Sequence, residues 1–187
     1  PLAVNKAYCN LMSNHLLFTE DEEIQQFSKF FKEISDEINL GLNSIKCSVL
    51  AHDLVYNDSR LALYDDTLDT LKNLKKEFKI GILSDAWPSL RRILANSGIS
   101  PLLDGLIISC EHNLTKEDLG LFEIALSVLK EPAENILFID DSEANLINAR
   151  GLGMHPVLMD RDNKKKDSQF VTINSLGEIG DLLTKMV

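Results

Sequence analysis

The sequence predicts an α/β fold in which a parallel β-sheet carries helices on both faces and a small helical subdomain comes first. From about residue 60 onward, short apolar segments alternate with amphipathic helical segments, a pattern typical of a parallel sheet covered by helices. Residues 1–59 instead show helical periodicity throughout. These observations divide the chain into a helical cap subdomain at 1–59 and an α/β core at 60–187.

Length and composition are those of a globular protein. The 187 residues are 44% hydrophobic and 26% charged, which is enough to bury a core. The net charge of -10 disfavours nucleic acid and anionic membranes as partners, and no apolar run approaches the roughly 18 residues of a membrane span. The three cysteines have neither disulfide nor zinc-site spacing, and the first residues lack a signal-peptide layout. We therefore expect a cytoplasmic protein that binds neither nucleic acid nor membranes.

The helical subdomain is defined best by its central helix. Thr19 and Glu22 have the spacing of a capping box at its start, and Gly41 is a suitable stop. Apolar residues recur at steps of three and four, at Ile24, Phe27, Phe31, Ile34 and Ile38. This spacing places them on one helical face, which we expect to pack inward.

The α/β core is predicted to alternate between five strands and five helices. The predicted strands cover residues 80–83, 106–108, 136–139, 156–159 and 170–173. The predicted helices lie near 68–74 and at about 88–97, 118–130, 142–152 and 175–185. Because ligands of open parallel sheets bind beyond the carboxyl ends of the strands, polar residues at those ends are the candidate site.

The strand at 80–83 leads directly to Ser84 and Asp85. Pro88 suits the first turn of the next helix, whose free N–H groups favour an anion, so the Ser84 hydroxyl is a candidate donor to a phosphoryl oxygen. We keep Ser84 as a candidate catalytic and substrate-binding residue and Asp85 as a candidate substrate-binding residue. The alternative is that Ser84 or Asp85 only caps that helix. For Trp87 the sequence leaves substrate contact and ordinary packing equally open.

Lys116 occupies a predicted helix start, where a cation opposes the helix dipole. A nearby carboxylate or a bound anion would remove this conflict, and in phosphoryl transfer such a lysine can neutralise charge on the phosphate. The alternative is a surface lysine paired with Glu117 or Asp118. We keep Lys116 as a candidate catalytic and substrate-binding residue.

Asp140 and Asp141 are adjacent acids that follow an apolar strand. Their charges repel unless a proton or a cation intervenes, and Mg²⁺ accepts one or two carboxylates together with water and phosphate. The sequence therefore predicts a magnesium site at Asp140 and Asp141. The alternative is that one carboxylate caps the helix near Ser142 and the other faces solvent.

Together these segments resemble the haloacid dehalogenase-like hydrolase superfamily. GILSDAWPSLRR at 81–92 is similar to its second motif, SCEHNLTKED at 109–118 to its third, and FIDDSEAN at 138–145, continuing to ARGLGM at 149–154, to its fourth. The resemblance implies a Rossmann-like core with a small cap. It also implies a Mg²⁺-dependent phosphatase that acts on a small phosphorylated metabolite through an aspartyl-phosphate intermediate.

One part of the family pattern is missing from residues 1–187. The family's first motif is an aspartate-bearing strand that precedes the cap and lies between the strands that end here in Ser84 and Asp140. The only Asp-x-Asp, at 160–162, follows the fourth motif and is interpreted as unrelated. We therefore expect further residues before Pro1, and an interrupted sheet without them.

Two other functions remain open from the sequence. If the chain starts at Pro1, the resemblance favours a catalytically inactive regulatory protein that binds phosphate or metal. Carbon–halogen hydrolysis is a third possibility, although the paired acids Asp140 and Asp141 favour metal-dependent chemistry. The four histidines have no evident partner, and packing or solvent exposure is the expected state of each: His15, His52, His112 and His155.

Overall fold

The computed structural model describes residues 2–13 and 15–186, so Pro1, at which the predicted cap begins, lies outside the described residues. The helices are α1 Leu2–Ser13, α2 Glu20–Glu37, α3 Ser44–Tyr56, α4 Thr67–Leu74, α5 Ser89–Asn96, α6 Leu119–Leu129, α7 Glu143–Gly151 and α8 Ile179–Met186. The strands are β1 Gly81–Ser84, β2 Gly105–Ile108, β3 Leu137–Asp140, β4 His155–Met159 and β5 Val171–Ile173. No helix within the described ranges combines the length and hydrophobicity needed to cross a bilayer.

The predicted fold class is confirmed. Each strand expected in the core is present within one or two residues of its predicted bounds, and helices separate successive strands except β4 and β5. The chain divides into two compact units. The first comprises Pro1–Ala62, Ser84–Ser97 and Ile108–Thr115, and the second comprises Leu63–Leu83, Gly98–Ile107 and Lys116–Val187. The boundary at 59/60 stays a prediction.

In the first unit, α2 begins as the sequence predicts but ends earlier. The side chain of Thr19 accepts a hydrogen bond from the Glu22 backbone, and the Glu22 carboxylate accepts one from the Thr19 backbone, so the capping box is confirmed. The helix ends at Glu37, ahead of Gly41, and Asn39 already takes a positive φ of 54°. The helix therefore ends before the glycine that the sequence indicates.

The inward stripe predicted for α2 is wrong in part. Ile38 is 54% exposed, and the other four apolar residues of the stripe are only half-buried. The fully buried positions of α2 are polar, at Glu23, Gln26 and Ser35. Each is paired: Glu23 accepts hydrogen bonds from Ser89, the Gln26 amide donates to a backbone carbonyl, and the Ser35 hydroxyl accepts a backbone N–H. Satisfied hydrogen bonds remove most of the cost of burying these groups.

The second unit contains the parallel sheet β3–β4–β5. Leu137 aligns with His155 and Val157 aligns with Val171, so each pair of strands is in parallel register. Because neighbouring residues of a strand point to opposite faces, Phe138 packs against α6 and α7, while Leu137 packs with α8. Helices therefore cover both faces of this sheet, as predicted.

β1 and β2 form a separate two-stranded sheet. Within the described residues, β1 is hydrogen-bonded to β2 alone and β3 to β4 alone, so each has one unpaired edge. In the second unit, Leu83 of β1 and Phe138 of β3 nevertheless pack against the same buried cluster around Phe122. The sheet is thus interrupted between β1 and β3, where the resemblance to the family predicts an interruption.

Candidate active site

An ion pair lies at the carboxyl end of β3. The Lys116 ammonium is 2.7 Å from Oδ2 of Asp140, and the side chains are only 14% and 6% exposed. The other carboxylate oxygen, Oδ1, accepts hydrogen bonds from the Ser142 backbone N–H at 2.8 Å and from the Asn145 amide at 3.0 Å. Both oxygens of Asp140 are therefore held in fixed directions.

The segment before α6 places Lys116 at this strand end. The Asn148 side chain, on α7, donates a hydrogen bond to the Lys116 carbonyl at 3.0 Å. The helix itself begins at Leu119, three residues later, so Lys116 is not in the first helical turn. The Lys116 side chain is largely buried and is paired with Asp140.

Asp141 follows Asp140 directly and is exposed. Its backbone carbonyl accepts a hydrogen bond from Lys165. Because Asp140 already accepts from Lys116, Ser142 and Asn145, Asp141 is the more available of the two carboxylates. Asp140 also supports the turn into α7 through Ser142, which is part of the capping role that the sequence left open.

The carboxylate ligands at this strand end fit a magnesium ion that keeps most of its coordinated water. Two adjacent carboxylates supply the oxygen ligands that Mg²⁺ prefers, with water and substrate phosphate completing the coordination. Among the described residues, no group of three or more acidic, histidine or cysteine side chains is placed to enclose a metal. Asp141 and one oxygen of Asp140 are therefore the candidate magnesium ligands of this chain.

Ser84 and Asp85 belong to the first unit, whereas Lys116, Asp140 and Asp141 belong to the second. Ser84 is the last residue of β1 and is half-buried, and Asp85 is exposed. The N-cap residue of α5 is Pro88, and the Ser89 N–H donates to the buried Glu23 carboxylate at 2.8 Å. The anion expected at this helix start is thus partly supplied by the protein itself.

Sequence reasoning missed a buried network in the first unit. His15 is 4% exposed, and its Nε2 lies 2.7 Å from the Ser109 hydroxyl, which accepts a hydrogen bond from the Ala86 N–H at 3.0 Å. Burial lowers the pKa of His15, and the Asp85 carboxylate opposes this in part. The residues His15 and Ser109 are 94 positions apart, so no local pattern connects them.

Trp87 is a packing residue that also lines a cavity. Its ring lies edge-on to His15, with centroids 4.8 Å apart, and to Phe27 at 5.2 Å. The cavity beside it belongs to the first unit and is lined in part by Asp85. The packing interpretation therefore describes Trp87, and its contact with a substrate stays a prediction.

The Asp-x-Asp at 160–162 has structural contacts of its own. The buried Asp160 carboxylate accepts the Lys165 N–H at 2.7 Å, a contact that lowers the pKa of Asp160. Arg161 is paired with Asp66 at 2.9 Å. These contacts stabilise the loop after β4, in agreement with the interpretation that this motif is unrelated to the site.

Known proteins are similar to this chain in sequence and in fold. Residues 14–153 match the family model described as haloacid dehalogenase-like hydrolase. Glyceraldehyde 3-phosphate phosphatase of Methanocaldococcus jannaschii is 28% identical over 174 residues, which cover 85% of this chain and 75% of that protein. This relative is named as a phosphatase.

Two solved structures share the fold. The 2-haloacid dehalogenase from Pseudomonas syringae pv. Tomato DC3000 has a TM-score of 0.71 and 15% identity, covering 99% of this chain and 81% of its own. The HAD-hydrolase YfnB from Bacillus subtilis, bound to magnesium, has a TM-score of 0.67 and 18% identity, covering 96% and 82%. At these identities the likeness concerns the fold alone.

Proposed function

Because this chain belongs to the haloacid dehalogenase-like hydrolase family, we propose that it is part of a magnesium-dependent phosphatase acting on a small phosphorylated metabolite. The observation that carries the proposal is the buried Lys116–Asp140 pair, oriented by Ser142 and Asn145 at the end of β3. The likeness to a phosphatase along 85% of the chain supports phosphate esters as the substrate class.

The residues of the second unit have distinct roles in this proposal. The Lys116 ammonium neutralises charge on a phosphoryl group, and Asp140 holds that ammonium in place. Asp141, with Asp140, holds a magnesium ion, which when bound would offset the negative charge of the phosphoryl oxygens. In the first unit, we propose the Ser84 hydroxyl as a hydrogen-bond donor to a phosphoryl oxygen.

The nucleophile requires a strand that residues 1–187 do not provide. β1 and β3 each have an unpaired edge and pack against the same Phe122 cluster, which is the arrangement that an inserted parallel strand would complete. We propose that such a strand carries the nucleophilic aspartate. Its carboxylate oxygen bonds to phosphorus as the bond to the leaving oxygen breaks, and that oxygen takes a proton. Water then attacks the phosphoryl-aspartate, which releases inorganic phosphate and restores the carboxylate.

The test is metal-dependent release of inorganic phosphate from an aryl phosphate by the natively expressed protein. Lys116→Ala and Asp140→Ala are expected to abolish release, because each removes one member of the oriented pair. Lys72→Ala, at an exposed lysine near Asp69, is the matched control and is expected to retain activity. Full activity in Lys116→Ala or Asp140→Ala would contradict the assignment. Unfolding of each variant is measured in parallel to show that it is folded.

A catalytically inactive phosphate-binding protein is the alternative candidate. The observation that favours it is that, within the described residues, no strand lies between β1 and β3 to carry a nucleophile. This alternative predicts that phosphate raises the melting temperature without turnover of any ester. Phosphate release that depends on Lys116 contradicts it.

A further inference from the structure

The outer face of α3, in the first unit, is largely apolar although it is exposed. α3 packs against α2, and the buried residues of α3 lie on one face: Cys47, Ala51 and Val55. A helical turn of 3.6 residues places four other residues on the opposite face, here called the outer stripe: Ile45, Val49, His52 and Tyr56. The exposed fractions of Ile45, Val49 and Tyr56 are 74%, 63% and 40%.

The spacing of the outer stripe is that of a helix-pairing surface. Its members follow one another at steps of four, three and four residues, which is the spacing of contact residues between two paired helices. The rings of His52 and Tyr56 lie 4.7 Å apart, so these two side chains form one continuous surface. Single exposed apolar residues are ordinary on proteins, whereas a row of them along one helix is typical of an interaction surface.

Charges beside the outer stripe indicate which partner fits it. Lys46 lies in the first turn of α3 and Asp53 in the last, and their separation of seven residues places both on the same side of the stripe. When a second copy of α3 lies antiparallel across the stripe, Lys46 of each copy lies beside Asp53 of the other. A parallel arrangement would bring like charges together and align the helix dipoles unfavourably. The surface is therefore complementary to itself in the antiparallel arrangement.

We propose that two copies of this chain form a dimer through the outer stripe, with their α3 helices antiparallel about a two-fold axis. This reversal sets Ile45 of one copy against Tyr56 of the other, and Val49 against His52. One pair of helices buries less surface than a permanent dimer requires, so the dimer is reversible, with a Kd on the order of micromolar. The proposal goes beyond the phosphatase activity and does not depend on it.

Sedimentation velocity of the natively expressed protein tests the dimer at concentrations from about 0.1 to 100 μM, a range that spans this Kd. We expect the mass to double as the concentration rises. Val49→Glu places two carboxylates at the centre of the interface and is expected to weaken association about a hundredfold. Val128→Glu, at an exposed valine of α6 in the second unit, is the matched control and is expected to dimerise normally. A dimer that Val49→Glu leaves intact contradicts the proposal.

Two charge reversals test the antiparallel geometry. Lys46→Glu and Asp53→Lys each replace both attractive pairs by repulsive ones, so each is expected to weaken association about tenfold. Each new charge suits the helix dipole at its end of α3, so both variants are expected to fold. A mixture of the two variants restores opposite charges at both pairs and is expected to associate again. Mixed variants that stay as monomers contradict this geometry.

A different cover for the outer stripe gives a different result. If residues of the same polypeptide outside positions 1–187 cover it, the protein stays a monomer at every concentration and Val49→Glu lowers its melting temperature. That outcome overturns the proposal. It leaves the phosphatase assignment in place, because phosphate release is measured separately on the same samples.

Discussion

The Lys116–Asp140 pair predicts a large energetic coupling. Lys116→Met removes the ammonium but keeps most of the side-chain length, and it leaves a carboxylate that is 6% exposed without its cation. Breaking a buried ion pair costs about 3–5 kcal/mol. Because Oδ1 of Asp140 keeps its hydrogen bonds from Ser142 and Asn145, we expect the lower end of that range, about 3 kcal/mol.

A double-mutant cycle isolates the interaction from the effects of each residue. Asp140→Asn keeps an oxygen where Oδ1 accepts its two hydrogen bonds and changes only the atom that faces Lys116. The double variant Lys116→Met/Asp140→Asn contains no unpaired charge, so we expect it to be more stable than Lys116→Met alone. Urea denaturation of the four proteins gives the free energies of unfolding, with constant m-values as the check on two-state behaviour.

The expected coupling is at least about 2 kcal/mol, well above the range of roughly 0.2–1 kcal/mol for exposed pairs. A value within that lower range would refute the view that the protein buries and orients this pair. Lys72→Met serves as the control for loss of a lysine, because Lys72 and Asp69 are both largely exposed at a separation of 4.0 Å. Little change in stability is expected there.

Three further predictions concern stability and reactivity. Burial raises the pKa of Glu23, and the hydrogen bonds from Ser89 oppose this shift in part. The contribution of Glu23 to the free energy of unfolding is therefore complete below the ordinary pKa of 4.5 and is lost as the pH rises through the raised pKa. Glu23→Gln is therefore expected to gain stability relative to the natural protein as the pH of a urea titration rises above 4.5, and a difference independent of pH contradicts this. Burial also raises the pKa of Cys110 to about 12. A thiol reagent at pH 8 should therefore modify the exposed Cys9 and leave Cys110 unmodified until the protein unfolds. Rapid labelling of Cys110 in the folded protein would contradict this prediction. Gly98 has a φ of +77° with open space around it, so Gly98→Ala is expected to lower the free energy of unfolding by about 1 kcal/mol through backbone strain alone, and an unchanged value argues against that strain.

The second unit was predictable from local pattern. β3 is an apolar run that ends in two acids, and α7 follows it at once, so both the elements and the strand-end position of Asp140 could be read from adjacent residues. The pairing of Asp140 with Lys116 follows less directly, since it joins positions 24 apart. One sign of this pairing is present in the sequence. Lys116 lies near a helix start, where a cation is unfavourable unless an anion lies nearby.

The first unit was less predictable because several of its buried residues are polar. The apolar stripe of α2 indicates one buried face. Glu23 is nevertheless buried, and its carboxylate accepts a hydrogen bond from Ser89, 66 positions away. His15 and Ser109 form a similar long-range pair. Hydrogen-bond partners brought together by tertiary structure remove the cost of burying polar groups, and the hydrophobic pattern of a single helix contains no signal of this.

The interrupted sheet connects the fold to the chemistry. Ile107 and Leu158, in β2 and β4, are 1% and 0% exposed, whereas every residue of β3 is only half-buried despite its apolar sequence. A strand with this composition is usually covered on both sides. The unpaired edges and the half-buried β3 therefore support the expectation that a further strand pairs with β1 and β3. We propose that this strand carries the aspartate on which catalysis depends.

The most direct test of that expectation is to quench the natively expressed protein with acid during turnover of phenyl phosphate and to locate the phosphoryl group by peptide mass spectrometry. We predict one phosphoryl group on an aspartate outside positions 1–187, and its loss in Lys116→Ala. Turnover without a phosphorylated aspartate, or a phosphoryl group on a residue within positions 1–187, would contradict the proposed mechanism.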